Sequence, residues 1–278
     1  MLCKVNITDL VKSGFVLMTC FLAVSLAHAA DPSAAQVMKQ VDERYQGDTR
    51  KQKGILTLID KSKNKRVREV HEWMKKFGSD EKVFTRVISP SEVSGTTILS
   101  YEWQQRSKDD ETWLYLPELR KVKRLATTDK SSYFLGSDFT YSDLSGIDVD
   151  DFTYRFDAEN AKMASQGTWV IMAEPVQDRL SQVLDETGYT KIKYWIDQEK
   201  KVIVKAKYWL KDGGKIKYFT ASDLVLKDKV WVTTKAQMVM TQGGHLQHAS
   251  IFEIKDVVFN SSIKDEIFTT YAMERQIN

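Results

Sequence analysis

This chain alternates polar and apolar residues in runs of six to twelve, and most breaks between runs are too short to hold a crossover. Parallel strands need a connection of a dozen or more residues, whereas antiparallel neighbours need only two. The runs read as strands at residues 54–60, 67–77, 82–89, 96–103 and 111–116, and again at 151–156, 168–174, 191–197, 201–210, 215–223, 230–240 and 248–259. Lys211-Asp212-Gly213-Gly214 and Gln242-Gly243-Gly244 are hairpin signals, because glycine enters positive φ without steric cost. About a dozen strands joined this way predict an antiparallel meander.

Helical spacing is scarce. Ser33 is placed to cap a helix in which Val37, Met38, Val41 and Tyr45 recur on one face up to Gly47. Residues 180–186 suit one short helix. Residues 126–151 follow no period and predict a long ordered loop. In the run 201–211, Val202, Val204, Ala206, Tyr208 and Leu210 form an apolar face. Lys201, Lys205, Lys207 and Lys211 lie opposite, with Ile203 and Trp209 among them. Such a sheet has one covered and one wet side, and the lysines solvate the strand and discourage edge pairing. Thr112-Trp113-Leu114-Tyr115-Leu116 is apolar on both faces, which places it centrally or under a loop.

The first thirty residues have a different character. Lys4 and Lys12 precede an apolar run over residues 14–27, then Ala27-His28-Ala29 and the polar Ala30-Asp31-Pro32. This is the layout of a cleavable secretory signal, and the run is shorter than the ~20 residues of a comfortable span. The expectation is a signal peptide over 1–29 and one β domain over 30–278. Cys3 and Cys20, the only cysteines, both precede the cut, so the mature chain enters an oxidising compartment with none to pair. Leu17 stands three before Cys20 as in a lipidation site, but Thr19 is large for that position and the apolar run continues past it. The mature chain carries 39 basic and 37 acidic residues. That balance argues against nucleic acid and against a strongly acidic substrate. A soluble, monomeric periplasmic protein is expected.

The residues offer little for catalysis. His245 and His248 are three apart where a turn enters a strand, whereas that spacing aligns ligands on a helix. No cysteine and no nearby acid completes a site, so neither a metal nor a cofactor is expected. His71 reads as exposed. Asp138 and Asp143 flank Phe139-Thr140-Tyr141 and would suit a glycosidase-like pair. Aspartates in such a loop otherwise bond to backbone N–H groups and fix the turn. No nucleophile elbow, phosphate loop or dinucleotide fingerprint occurs. What remains is aromatic. Trp73, Phe84, Trp103, Trp113, Tyr115, Phe139 and Trp169 are spread over many strands, and a curved sheet with few helices has little to cover its inner face. These seven are the candidate lining of a concave apolar cavity. Residues 131–144 are its candidate lid, with Tyr133, Phe134, Leu135 and Phe139 turned inwards and Gly136, Asp138 and Asp143 shaping it.

Trp113-Leu114-Tyr115-Leu116-Pro117, Arg120-Lys121-Val122-Lys123-Arg124, the stretch GSDFTYSDL from Gly136 to Leu144, Tyr194-Trp195-Ile196-Asp197 and Asp212-Gly213 together resemble the LolA-like family of outer-membrane lipoprotein-sorting proteins. The resemblance covers essentially the whole mature chain. It implies a mainly β fold: one strongly curved antiparallel sheet, an unclosed half-barrel like LolA and LolB, with helices and a loop over its mouth. It implies a carrier, not an enzyme, that shelters lipoprotein acyl chains or lipid on the way to the outer membrane. An inner-membrane transporter would be the donor, and an outer-membrane protein the acceptor. The chain departs from the best-known carrier in its greater length and in GSDFTYSDL, which marks a branch associated with large efflux-type transporters. A non-transporting accessory or sensor module, binding envelope lipoproteins or an exporter, is the alternative. A secreted hydrolase using Asp138 or Asp143 is a third.

Overall fold

The computed structural model describes residues 31–105 and 108–275; the expected signal segment lies outside the described residues. Helix α1 (Ala34–Asp42) starts where Ser33 accepts from the Gln36 N–H while the Gln36 side chain accepts from the Ser33 N–H. This reciprocal capping box satisfies two otherwise orphaned donors. The helix ends a turn before the sequence pattern suggests, and Tyr45 is left exposed.

Thirteen strands follow: β1 (Thr49–Ile59), β2 (Lys65–Phe77), β3 (Asp80–Ser89), β4 (Thr97–Glu102), β5 (Glu111–Leu116), β6 (Lys121–Arg124), β7 (Phe152–Phe156), β8 (Thr168–Pro175), β9 (Tyr189–Asp197), β10 (Val202–Leu210), β11 (Lys215–Lys227), β12 (Val230–Gln242) and β13 (His245–Phe259). They form one antiparallel sheet in the order β6-β5-β4-β3-β2-β1-β13-β12-β11-β10-β9-β8-β7. Two meanders are thus sewn together by the β1–β13 pair. The hairpin signals act as expected, with Gly243 and Gly244 both at positive φ between β12 and β13. Asp228 and Lys229 do the same between β11 and β12 without glycine, in the double positive-φ turn that matches strand twist.

The two outer strands, β6 and β7, are consecutive in the chain and do not pair, so the sheet stays open. Ile98 of β4 and Ile171 of β8 nonetheless share one buried cluster with Leu56 and Leu58 of β1. In a flat sheet strands nine places apart would be about 43 Å distant. The sheet therefore bends round a common interior, and the segment from β6 to β7 crosses its open side. That segment carries α2 (Tyr141–Ser145); α3 (Leu180–Glu186) precedes β9, and α4 (Thr270–Met273) ends the described chain. Among the described residues, no helix is long and apolar enough to cross a membrane.

Candidate functional site

Strand register decides which side chains meet inside the curve. Trp169, Ile171 and Ala173 of β8 stand beside Ile196, Tyr194 and Ile192 of β9. The same face continues through Ala206 and Tyr208 of β10, Lys217 and Phe219 of β11, and Met238 and Met240 of β12. It reaches His248, Ser250 and Phe252 of β13 and then Leu56 and Leu58 of β1. This inner wall is mostly hydrocarbon and aromatic. Val37 and Met38 of α1, together with Phe134 and Phe139 of the crossing loop, pack onto it and are almost wholly buried.

The loop over residues 131–147 is built tightly. Leu135 and Gly136 take positive φ in succession. The turn brings Phe139 back so that its carbonyl accepts from the Phe134 N–H at 2.7 Å, and Tyr133 bridges to Thr140. Thr140 then caps α2: its hydroxyl accepts from the Asp143 N–H at 3.1 Å, and Asp143 accepts from the Thr140 N–H at 2.8 Å. The GSDFTYSDL stretch is thus a hairpin and a capped helical turn, held as one body.

Two carboxylates fasten that body to the wall. Asp138, 1 % exposed, accepts from the Ser250 hydroxyl at 2.6 Å and also bonds to His248 Nδ1. Asp143 spans a fork. One of its oxygens accepts from the Tyr189 hydroxyl at 2.6 Å, the other from Lys217 Nζ at 2.5 Å, and Lys217 also donates to Tyr189 Oη at 2.6 Å. Lys217 has no solvent exposure at all. Its ammonium stands 5.1 and 5.9 Å from the ring centres of Tyr189 and Tyr208. Burial above all, and then the Asp143 charge, holds the Tyr189 phenol well above its ordinary range; burial does the same for Tyr208. Both phenols therefore stay protonated, and Tyr189 stays a donor. A third attachment runs from Arg68 to the Leu135 carbonyl. Burial lowers the Arg68 pKa from its ordinary value.

On β2 to β5 the inner face is mixed, with Val70, Met74 and Ile98 beside a group of charged and polar residues. Arg50 donates to Glu72 at 2.9 Å and Gln52 to the same oxygen at 2.9 Å. Glu81 lies directly across from Glu102. Burial first, then the Glu81 and Asp110 charges, raises the Glu102 carboxyl well above its ordinary value.

The candidate lining does not gather in one place. Phe139 and Trp169 belong to the interior. Trp73, Phe84, Trp113 and Tyr115 lie on the opposite, outer face of β2, β3 and β5, in a second cluster with Leu99, Ile263, Phe268 and Met273. The C-terminal segment covers them. Arg86, 8 % exposed, donates to the carbonyls of Ala272 at 3.1 Å and Met273 at 2.9 Å, and Tyr101 donates to that of Phe268 at 2.6 Å. Trp103 stands beyond the end of β4, edge-on to Tyr101 and beside a hollow of about 350 Å³. A second hollow of about 460 Å³ lies between Trp113 and Tyr271. Neither touches the loop.

Of the candidate lid, Phe134, Asp138 and Phe139 are buried and Leu135 half-buried. Tyr133 is 41 % exposed, its ring edge-on to His248. The acid that His248 lacks locally is supplied by Asp138, 110 residues away. Asp138 and Asp143 are bonded to different parts of the wall, Asp138 to His248 and Ser250 and Asp143 to Tyr189 and Lys217. Among the described residues no group of three or more His, Cys, Asp or Glu is placed to hold a metal ion.

Lys217 escaped the sequence reading because Lys215-Ile216-Lys217 looks like a solvated run. Its signal was phase: it alternates in step with Phe219 and Ala221 and pairs with Tyr208, on the apolar face.

The chain is similar in structure to three solved proteins. A domain described as an outer membrane lipoprotein-sorting protein from Vibrio parahaemolyticus aligns with TM-score 0.75 and 22% identity, over 87% of this chain and 98% of that one. A DUF1329 family protein from Desulfovibrio piger aligns with TM-score 0.73 and 19% identity, over 86% and 97%. A LolA superfamily protein from Nitrosomonas europaea aligns with TM-score 0.61 and 15% identity, over 87% and 99%. No curated protein matches the sequence. The open, bent sheet is the LolA-like fold. Residues 79–275 match the model of a family described as "Uncharacterized protein", and the chain belongs to that family.

Proposed function

We propose that this chain is a periplasmic carrier of the LolA-like type, made with a cleaved signal over 1–29 and working as a monomeric domain over 30–278. Its cargo is an apolar chain, from a lipoprotein or a lipid, taken from an inner-membrane transporter and passed towards an outer-membrane acceptor. The observation that carries this reading is the cover of the inner wall. A bent apolar sheet is shielded by two short helices, α1 and α3, and by the crossing loop, and the loop is fixed at a few polar points.

Physical chemistry makes such a cover exchangeable. Burying Phe134 and Phe139 stabilises the loop by about 1.5–3 kcal/mol each. An acyl chain laid on the same wall gains about 0.8 kcal/mol per methylene relative to water. Cargo that arrives from a membrane gains little from the transfer itself, so modest changes in loop attachment decide loading and release. The two aspartates have their capacity taken up by fastening, which supports a carrier rather than a hydrolase.

The filled wall also favours a second reading, a module that binds an exporter or envelope lipoproteins and carries nothing. Native mass spectrometry of protein purified from periplasm separates the two. The carrier reading expects bound lipid and uptake of a fluorescent fatty acid; protein that is always empty and refuses the probe, yet co-purifies with a transporter, supports the module.

A further inference from the structure

The fork that holds Asp143 has the form of a carboxylate receptor. Two donors of different kinds, the Lys217 ammonium and the Tyr189 hydroxyl, each take one oxygen of the same carboxylate, at 2.5 and 2.6 Å. Both donors belong to the wall, on β11 and β9, and the carboxylate belongs to the loop. A lysine with no solvent exposure on an apolar wall is costly unless an anion stays beside it. Whatever moves the loop aside removes that anion. Neighbouring wall groups repeat the pattern on a smaller scale, for Ser250 and His248 hold the second loop carboxylate, Asp138.

We infer that the loop is an internal stand-in for the cargo, and that the cargo is an amphiphile whose anionic head, a carboxylate or a phosphate, replaces Asp143 on Lys217 and Tyr189 while its hydrocarbon replaces Phe134 and Phe139 on the wall. This inference rests on the carrier reading above and narrows it. A neutral lipid would fill the apolar wall and leave Lys217 without a counter-ion. An anionic one satisfies both halves. The preference for charge is thus built into the inner wall and comes from a residue outside the loop.

The test compares matched ligands that differ only in the head. Laurate and 1-dodecanol are titrated below micelle formation against the mature chain, with displacement of a fluorescent fatty acid as readout. Dilauroyl phosphatidic acid and dilauroylglycerol, presented in neutral phosphatidylcholine vesicles, form the second pair. Laurate is expected to bind at least tenfold more tightly than dodecanol; a preference confined to phosphatidic acid assigns the head as phosphate and supports the same site. Lys217→Met is expected to bring the charged-to-neutral ratio to near one. Tyr189→Phe, which keeps the Lys217–Asp143 ion pair and hence the fold, is expected to reduce that ratio severalfold. Equal binding of charged and neutral ligands, or a ratio that both variants leave unchanged, overturns the inference and leaves the carrier reading standing. Failure of all four ligands to bind overturns both.

Discussion

Asp143→Ala removes the anion beside Lys217 and tests how much the loop depends on one carboxylate. The Asp143 side chain is 5 % exposed and Lys217 0 %, so water cannot take its place without opening the structure. The substitution also deletes the bond to Tyr189 and the cap on the Thr140 N–H. Breaking a buried pair by removing one partner costs about 3–5 kcal/mol, because the other charge is left uncompensated. For a domain of this size that corresponds to a fall in Tm of about 6–20 °C. Urea unfolding followed by tryptophan fluorescence measures the loss, and amide exchange shows where it falls, with residues 131–147 expected to lose protection first. Combining Asp143→Ala with Lys217→Met removes the stranded charge, and should bring stability back to within about 2 kcal/mol of the parent. A single substitution that costs less than about 1 kcal/mol, or a double that is simply additive, refutes the reasoning.

Arg86→Ala frees the carbonyls of Ala272, Met273 and Arg275 from their charged donor. It should cost about 3 kcal/mol and make residues 263–275 the first site of limited proteolysis, read by mass spectrometry. Glu102 has its carboxyl raised by burial and by Glu81 and Asp110, against the opposing pull of Arg50 and Lys130. The folded state therefore holds a proton that the unfolded state gives up. Stability falls as pH climbs from the ordinary carboxylate range through the raised value, and stays lower above it. Glu102→Gln should raise Tm at pH 7.5 and leave it little changed at pH 4, as measured by circular dichroism. Gly54→Val places a side chain where even a Cβ would lie 2.5 Å from the Phe252 ring; overpacking there should cost about 1–3 kcal/mol by urea titration.

Alternation in the sequence is enough to place most strands and both glycine hairpins, because strand period and turn chemistry are local. It also shows which residues share a face. It does not show which face lies inside the curve, since that depends on what covers each side. Trp73, Phe84, Trp113 and Tyr115 read as lining, yet their cover comes from Ile263, Phe268 and Met273, far along the chain. The loop residues Phe134 and Phe139 were legible as apolar groups in a polar stretch. The partners of Asp138 and Asp143 were not, since Ser250 and Lys217 come from strands more than seventy residues downstream. Lys217 in particular is hidden among lysines that do face water, and only the register with Tyr208 separates it from them.

The account stands on a loop that must leave the inner wall for cargo to enter, and the wall offers a direct way to hold it. Ser250 Oγ is 2.6 Å from Asp138 Oδ2 and accepts from the Asp138 N–H at 2.9 Å, and residues 30–278 contain no cysteine. Asp138→Cys with Ser250→Cys can therefore be oxidised to tie residue 138 to β13 and reduced to free it. Fluorescent fatty-acid uptake should vanish in the oxidised protein and return with reductant. Equal uptake in both states would show that cargo does not need the ground this loop occupies.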